Sequence, residues 1–281
     1  MNLMISFQTL TIGKDDLEEF ETLFIIFLGL SVGSFLNVLI YRLPTGISLF
    51  NPKRSTCLIC NHTIKWYENI PVLSYIILRA KCSSCHANIS IQYPIVEIIT
   101  ASITYILFKQ LGLSQEFYFL LIVFYLLIVL SFIDLKYKAV PDFLLVIITT
   151  ITLCYLVLNN IENLSTFFMF AGAIVIIELF VTFYIQNIKS YFLNDNSLKT
   201  QKAIGEGDIP IIALVGGILG LKFGIIAIFL SAIFAIIPAV VNIIFNKEIE
   251  TPFIPYLSLG LIIVYTNKDT VANILEGLKI L

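Results

Sequence analysis

The sequence predicts an all-α polytopic membrane protein with about eight transmembrane helices and a small four-cysteine insertion after the first helix. The chain has 281 residues, of which 58% are hydrophobic and 13% are charged. A soluble domain carries roughly 45–50% apolar and about 25% charged residues, so most of this chain must face lipid. Eight apolar segments approach the length of a membrane span, and two CxxC pairs lie between the first two of them.

The apolar segments set the predicted order of elements. A helix needs about 20 mostly apolar residues to cross a bilayer. The segments lie near residues 22–41, 94–111, 115–133, 143–158, 166–187, 209–221, 224–245 and 252–267. The predicted parts are an N-terminal outer-side segment (1–21), the first transmembrane helix (22–41), a cytosolic four-cysteine domain (42–93), a membrane core (94–267) and a C-terminal tail (268–281). The apolar residues of the tail recur at helical spacing, which leaves an amphipathic surface helix and a frayed end both open.

The placement of Lys and Arg predicts the orientation. With the N-terminus outside, the connections that face the cytosol hold twelve Lys and Arg residues, and the outer side holds five. The first twenty residues end in a mostly acidic run instead of the basic start of a signal peptide, so we expect the first apolar segment to be a retained anchor. The net charge of −2 gives no signal for nucleic acid.

Four cysteines of the predicted cytosolic domain form two close pairs. Cys57 and Cys60 make the first CxxC motif, and Cys82 and Cys85 make the second, with a separation typical of paired zinc knuckles. Four thiolates complete a tetrahedral zinc site without an open position, so the metal would be structural. A domain of some fifty residues has little core of its own, and a metal would stabilise it.

The cysteine pairs also admit uses other than zinc binding. Disulfides are disfavoured in a reducing cytosol, where the charge rule places this loop. Cys82 to His86 also has the form of a haem c attachment motif, but that would require the loop to face outward. His62 and His86 remain candidates to replace a cysteine as a ligand, although histidines of such knuckles more often lie on the surface or bond the backbone.

Two aspartates lie where apolar segments meet the cytosolic boundary. Asp134 ends the third segment and Asp208 begins the sixth, just after Gly205 and Gly207. Carboxylates are costly in a bilayer, so their presence there needs a reason. Two neighbouring carboxylates do not both ionise cheaply, and such a pair supports general acid–base hydrolysis of a peptide bond. The glycines would let the backbone approach another chain without a Cβ clash.

Simpler roles exist for the same acidic residues. Asp208 precedes Ile209 and Pro210, which suits a helix N-cap, and Asp134 can simply mark the interfacial end of a helix. Glu178 and Glu97 also lie within apolar segments, where an acidic residue is a functional candidate by default. Their partners are not visible in the sequence.

Together these motifs resemble the type IV prepilin peptidase family, the aspartic leader peptidases of pilus and type II secretion systems. Gly205-Glu206-Gly207-Asp208 matches the family's GxGD signature, and Asp134 matches its first catalytic aspartate. The resemblance extends over most of the chain. It includes residues 33–38 and 41–44 of the first helix and its exit, Arg54-Ser55, the four cysteines, Asn69-Ile70-Pro71, Ser74, Tyr93-Pro94 and Glu97.

The resemblance implies a bifunctional enzyme of the bacterial inner membrane whose active site faces the cytosol. Members cut prepilins or pseudopilins after a glycine and then methylate the new N-terminal residue with S-adenosylmethionine as cofactor. Asp134 and Asp208 would be catalytic, Gly205 and Gly207 would support the catalytic turn, and the four cysteines would hold structural Zn²⁺. No residue of this chain is assigned to the methyl donor.

The chain departs from the family pattern at three places. Ile254 replaces a glycine of the family's PFGPYL motif, which removes flexibility where the last apolar helix begins. Ala80 follows Arg79 where a glycine is common, and Gln92 stands where a basic residue is common. None of these positions is one of the two aspartates, so they bear on methylation more than on cleavage.

Three other functions remain open at this point. A proton-coupled transporter would also use intramembrane carboxylates and glycine-broken helices, but transporters usually show internal repeats and sites near the midplane. A non-catalytic scaffold of pilus assembly would retain the zinc site without needing Asp208. A peptidase that no longer methylates would differ only in the mass of its product.

Overall fold

A computed structural model describes residues 14–49, 51, 54–194, 196–200, 205–245 and 251–277, without side-chain detail for residues 14–17 and 243. The predicted segment 1–21 and the tail 268–281 therefore lie partly outside the described residues. The helices are α1 (Lys14–Arg42), α2 (Leu73–Ile77), α3 (Gln92–Leu111), α4 (Gln115–Tyr137), α5 (Asp142–Asn159), α6 (Ile161–Phe183), α7 (Ser190–Leu193), α8 (Asp208–Ile244), α9 (Ile254–Thr266) and α10 (Lys268–Gly277). Short 3₁₀ turns cover Trp66–Asn69 and Asn196–Thr200, and a π-helical turn covers Tyr184–Lys189.

The predicted fold class is confirmed. The described residues form helices and turns with two isolated β-bridges and no strand. In the part of the chain that the structure describes, six helices are long and apolar enough to cross a membrane, and α9 is a shorter apolar helix. Each predicted apolar segment is helical over most of its length. The tail is helical as far as Gly277, and the described residues between α6 and α8 contain short helical turns.

Helix α8 is not straight, because it breaks at Gly220. That residue has φ 75° and ψ −177°, which a side chain would oppose. A Cβ atom on Gly224 would lie 3.5 Å from the Cα atom of Gly216. Residues eight apart in a straight helix are about 12 Å apart along the axis, so the chain reverses here. The limbs 208–219 and 221–244 correspond to the sixth and seventh predicted segments.

The chain divides into two compact units. The first unit contains α1 up to Phe35 and residues Thr56–Gly112. Within it, α1 packs closely on α3, because a Cβ on Gly29 would lie 2.6 Å from the Cα of Ala101, and a Cβ on Gly33 would lie 2.6 Å from the Cα of Glu97. Small residues four apart allow this approach between membrane helices.

The second unit contains residues Leu36–Ser55 and Leu113 onward. Helix α4 lies at its centre, with Leu127, Leu130 and Ile133 almost fully buried. Helix α9 packs against both α4 and α8, and a Cβ on Gly260 would collide with the side chain of Ser231 and the carbonyl of Ala227. Helix α9 thus packs between the two helices that carry the predicted aspartates.

Candidate active site and cysteine centre

Asp134 lies in the last turn of α4, where the helix leaves the core. The helix ends at Tyr137, and the next residue, Lys138, adopts the left-handed conformation and donates its backbone N–H to the Asp134 carbonyl at 2.8 Å. The Asp134 side chain is only 7% exposed. Its Oδ2 atom accepts the backbone N–H of Ile254, the first residue of α9, at 3.3 Å. The carboxylate is therefore held by a neighbouring helix start, in a largely desolvated position.

Asp208 is the first residue of α8, and its carboxylate folds back over the preceding turn. Its backbone N–H donates to the Gly205 carbonyl at 3.0 Å, and its carboxylate accepts the backbone N–H of Gly205. Asp134 lies within electrostatic range of this carboxylate. The structure therefore brings the two predicted aspartates together, although their segments are far apart in the chain.

The two glycines before Asp208 are placed where side chains would intrude. A Cβ on Gly205 would lie 3.2 Å from Oδ2 of Asp208. A Cβ on Gly207 would lie 2.9 Å from the Val140 side chain, just after α4, and 3.8 Å from the Ile254 side chain. The turn that carries Asp208 thus packs against the segment that follows Asp134, as expected for glycines that permit close approach.

Ile254 connects the two aspartate-bearing segments, a role that sequence reasoning missed. Its N–H donates to Asp134, while its side chain is 2% exposed and lies beside Gly207. The sequence signals this position only indirectly, through the prolines on either side of a helix start. The loss of a glycine here was expected to reduce flexibility, and the structure shows the isoleucine side chain buried beside the turn that carries Asp208.

A pair of serines supports the same helix start, and these residues were also missed. Ser131 lies one turn before Asp134 and donates its hydroxyl to the Ser258 hydroxyl at 3.0 Å. Ser258 in turn donates to the Ile254 carbonyl at 2.9 Å. Together with the Ile254 N–H, these bonds join α4 to α9 in a closed loop of polar contacts. Single serines in apolar helices carry no pattern from which the pairing could be inferred.

The four predicted cysteines form a compact cluster in the first unit. Their sulfur atoms all lie within 4.8 Å of one another. The Sγ atoms of Cys57 and Cys85 are 3.8 Å apart, and those of Cys60 and Cys82 are 4.0 Å apart. A tetrahedral zinc ion with Zn–S bonds of about 2.3 Å places its sulfurs ~3.8 Å apart. The residues present therefore fit a closed four-thiolate metal site, and all the cysteines are free thiols.

The two knuckles share one backbone pattern. Cys57 donates its N–H to the His62 carbonyl, and Cys82 donates its N–H to the Ala87 carbonyl. Asn61 and His86 occupy equivalent left-handed positions just after each pair. His86 is thus a turn residue, and neither histidine belongs to the metal-competent group found among the described residues.

The knuckle backbone also favours thiolates. The backbone N–H of Cys60, followed by that of Ile59, lowers the pKa of the Cys57 thiol to about 6. The backbone N–H of Cys85 is the main cause of a lowered pKa at Cys82. Hydrogen bonds to the charged form stabilise it, and deprotonated sulfur is the form that binds metal.

The other membrane carboxylates have separate surroundings. Glu97 is buried in the first unit, where it accepts the Val72 N–H at 2.7 Å and a hydrogen bond from Ser34. Glu178 lies on α6 and lines an open cavity of about 440 Å³ together with Val175, Leu179, Thr182, Phe183, Gln186 and Asn187. Glu97 therefore has a structural partner, and neither residue replaces the aspartates as the candidate site.

Comparisons with known proteins place this chain in a family. A family profile described as "Bacterial Peptidase A24 N-terminal domain" matches residues 27–111, and one described as "Type IV leader peptidase family" matches residues 121–240. The curated protein "Prepilin leader peptidase/N-methyltransferase" of Neisseria gonorrhoeae is 31% identical over 270 residues, covering 87% of this chain and 90% of that protein. The chain belongs to the type IV leader peptidase family.

Other members of the type IV leader peptidase family agree with this placement. The protein of the same name from Vibrio cholerae is 33% identical over 218 residues, covering 74% of this chain and 81% of that protein. The one from Myxococcus xanthus is 44% identical over 118 residues, covering 42% of this chain and 35% of that protein. No solved structure matches the chain. The transporter and scaffold hypotheses gain no support from these comparisons.

Proposed function

We propose that this protein cleaves the leader of type IV prepilins or pseudopilins at the cytosolic face of the inner membrane and then N-methylates the new N-terminal residue. The observation that carries the proposal is that Asp134 and Asp208 lie within electrostatic range of each other, on segments that both contact Ile254, in a chain of the type IV leader peptidase family. Its relatives are named for both activities.

The two aspartates suit hydrolysis without a covalent intermediate. One carboxylate is ionised and removes a proton from water as the oxygen attacks the scissile carbonyl carbon. The other is protonated and donates to the carbonyl oxygen, which becomes the tetrahedral alcohol. Collapse of this intermediate breaks the C–N bond: the carboxyl group that took the water proton passes it to the departing nitrogen, and the other carboxylate regains its proton from a hydroxyl of the intermediate. The pair titrates as a unit, so neither role is assigned to one residue.

The site geometry supports this chemistry in two ways. The Ile254 N–H donates a hydrogen bond to Asp134, which orients the carboxylate without supplying a counter-charge. The N–H of Gly205 does the same for Asp208. Such preorganised donors in a desolvated site cost no rearrangement during the reaction. Gly205 and Glu206 are exposed, so water and an extended peptide can reach the turn from one side.

The proposed orientation follows from the basic residues. The Lys and Arg majority on the side of residues 42–93 supports a cytosolic location of that side. A prepilin would lie with its basic leader at this surface and its apolar helix in the bilayer. The bond between them would then reach the height at which α4 ends and α8 begins.

We assign structural Zn²⁺ to Cys57, Cys60, Cys82 and Cys85. The four sulfurs leave no open coordination position, so the ion would hold the two knuckles together and take no part in bond making. S-adenosylmethionine would supply the methyl group that passes to the new amine nitrogen as this nitrogen loses a proton. No residue of this chain is assigned to bind it.

Intact-mass analysis of the product tests the proposal. The protein is co-expressed with a prepilin, and the mass of the pilin is measured. We expect a product without its leader and heavier than the bare mature chain by one methyl group. A shortened product without that group would retain the peptidase and remove the methyltransferase. An uncut prepilin, with several substrates tried, would contradict both.

Matched variants test the assignment of the aspartates. Asp134→Asn and Asp208→Asn should abolish cleavage while the protein remains inserted, because the amide can neither accept the water proton nor act as an acid. Asp269→Asn changes an exposed carboxylate of α10 in the same way and should process normally. Cleavage retained by either of the first two variants would contradict the catalytic pair.

A further inference from the structure

An exposed apolar face lies on the four-cysteine side of the first unit. Large apolar side chains of the 3₁₀ turn and of α2 are strongly exposed, with Trp66 at 76% and Ile77 at 75%. We define the apolar face as Trp66, Tyr67, Leu73, Ile76 and Ile77. Isolated exposed apolar residues need no explanation, but a contiguous group on a water-facing domain marks an interaction surface.

The members of the apolar face are arranged on two adjoining elements. Leu73, Ile76 and Ile77 recur at the i, i+3, i+4 spacing of one helical side. The 3₁₀ turn packs beside α2, and the rings of Trp66 and Tyr67 contact each other edge to face. The face therefore combines an aliphatic helical side with two amphipathic aromatic rings.

A direct hydrogen bond fixes the depth of this face relative to the membrane. The N–H of Val72, the residue before α2, donates to Oε2 of Glu97 at 2.7 Å. Glu97 lies within α3, about 7.5 Å along the axis from the first residue, Gln92. Helix α3 has 20 residues and spans about 30 Å, which is the thickness of the hydrocarbon core. The bond therefore holds the start of α2 beside the first turns of α3, close to the boundary at which the span that begins at Gln92 enters the bilayer.

The turn before α2 is strained, and the same bond holds it. Val72 has φ 60° and ψ −48°, a conformation that β-branched residues rarely adopt. The Leu73 N–H bonds back to the Pro71 carbonyl at 2.6 Å, which closes a tight three-residue turn. Such strain persists only where surrounding contacts over-determine it. Here the hydrogen bond to the buried Glu97 carboxylate holds the turn at Val72, and it thereby fixes the direction in which α2 begins.

Basic residues flank the apolar face. Lys65 precedes Trp66, and Arg79 and Lys81 follow α2; all three are exposed. The one acidic residue between them, Glu68, turns inward to the Lys65 N–H at 2.8 Å and toward His62. Exposed Lys and Arg beside aromatic and aliphatic side chains match an anionic lipid surface. A soluble protein partner would not account for the depth imposed through Glu97.

We propose that the apolar face docks on the cytosolic leaflet of the bilayer. Trp66 and Tyr67 lie among the headgroups, Leu73, Ile76 and Ile77 reach the start of the acyl chains, and the three basic residues contact lipid phosphates. The four-cysteine domain is thereby held against the membrane surface. This inference rests on the proposed topology for the leaflet, but the lipid contact itself does not depend on either enzymatic activity.

Fluorescence quenching tests the docking directly, because Trp66 is the only tryptophan of the chain. The full-length protein is reconstituted into vesicles of phosphatidylcholine and phosphatidylglycerol in equal parts, with bromine placed either near the headgroup or near the end of the acyl chains. We expect Trp66 to be quenched strongly by the shallow bromine and weakly by the deep bromine. A signal unaffected by either label would overturn the proposal.

Two reporter variants calibrate the measurement in a Trp66→Phe background. Phe168→Trp places a tryptophan on the exposed surface of the apolar helix α6, and Lys199→Trp places one in a polar connection. The first should respond to the deep label and the second to neither. An Ile76→Asp/Ile77→Asp variant that retains Trp66 should lose shallow quenching toward the level of the Lys199→Trp reporter.

The same samples separate a lipid surface from a protein partner. Cleavage of a prepilin by the Ile76→Asp/Ile77→Asp variant shows that the membrane core has folded, so lost quenching then reports detachment of the face. If Trp66 stays accessible to acrylamide in lipid vesicles and becomes shielded only when prepilin is added, the lipid assignment is overturned in favour of a protein. Failure of cleavage in the wild type, with shallow quenching intact, would contradict the proposed function alone.

Discussion

Replacing Gly207 by alanine gives a measurable test of how the aspartate-bearing segments fit together. The added Cβ would lie 2.9 Å from Cγ2 of Val140 and 3.5 Å from Cδ1 of Leu145. Carbon atoms pack best at about 3.5–4.0 Å, so the turn or Val140 must move by ~0.6–1 Å. Overpacking of this kind costs about 1–3 kcal/mol of stability, and a 1 Å displacement of catalytic groups can cost ~100-fold in rate.

We expect Gly207→Ala to lower kcat for prepilin cleavage by about 10- to 100-fold, because Asp208 follows directly on the displaced turn. KM should change less, since the displaced group is one that we propose acts in the bond-breaking step. The assay is a cleavage time course with purified protein in lipid vesicles and a range of prepilin concentrations. Equal amounts of inserted protein are confirmed for each variant before the rates are compared.

Two companion variants make the Gly207 result interpretable. Val140→Ala removes the methyl group that the new Cβ meets, so the double variant Gly207→Ala/Val140→Ala should recover most of the lost rate. Gly172→Ala adds a methyl group to α6 where no atom lies within 4 Å, and it should behave as wild type. Wild-type kcat in Gly207→Ala, or no recovery in the double variant, would refute the packing argument.

Three further predictions concern the serine pair of α4 and α9 and the four-cysteine domain. Ser258→Ala should lower kcat about threefold, which is the equivalent of the ~0.6 kcal/mol of a typical hydrogen bond in a membrane protein. Ser258→Thr should retain activity. Because Ser131 acts through Ser258, the double variant Ser131→Ala/Ser258→Ala should have nearly the same kcat as Ser258→Ala alone. Equal kcat in Ser258→Ala and wild type would contradict the positioning role. Ala80→Gly should stabilise the four-cysteine domain by ~0.5–1 kcal/mol, because Ala80 has φ 59°, and slower zinc release to a chelator from the intact protein would measure it; faster release would contradict it. Cys57→Ser should lower bound zinc well below one ion per chain by elemental analysis, and stoichiometric zinc in that variant would rule out the four-thiolate site.

Much of the architecture was predictable because lipid imposes simple rules. Apolar length marks helices, and the reversal at Gly220 was anticipated by two separate segments, 209–221 and 224–245. The cysteine cluster was predictable for a local reason, since each CxxC pair builds its own knuckle and only the two knuckles must meet. The pairing of Asp134 with Asp208 was inferred from their shared level at the membrane boundary and from the family signature, and the structure places them within electrostatic reach.

The sequence by itself determined the membrane class, the order of the helices, the metal-competent cysteines and the two candidate aspartates, because each depends on composition, spacing or a short motif. Only the tertiary structure decided which residues surround the aspartates. Ile254, Ser131 and Ser258 are ordinary members of apolar helices, and they matter because α9 packs between α4 and α8. The physical reason is that a hydrogen bond such as Ile254 to Asp134 joins residues 120 positions apart, and no local pattern encodes that register.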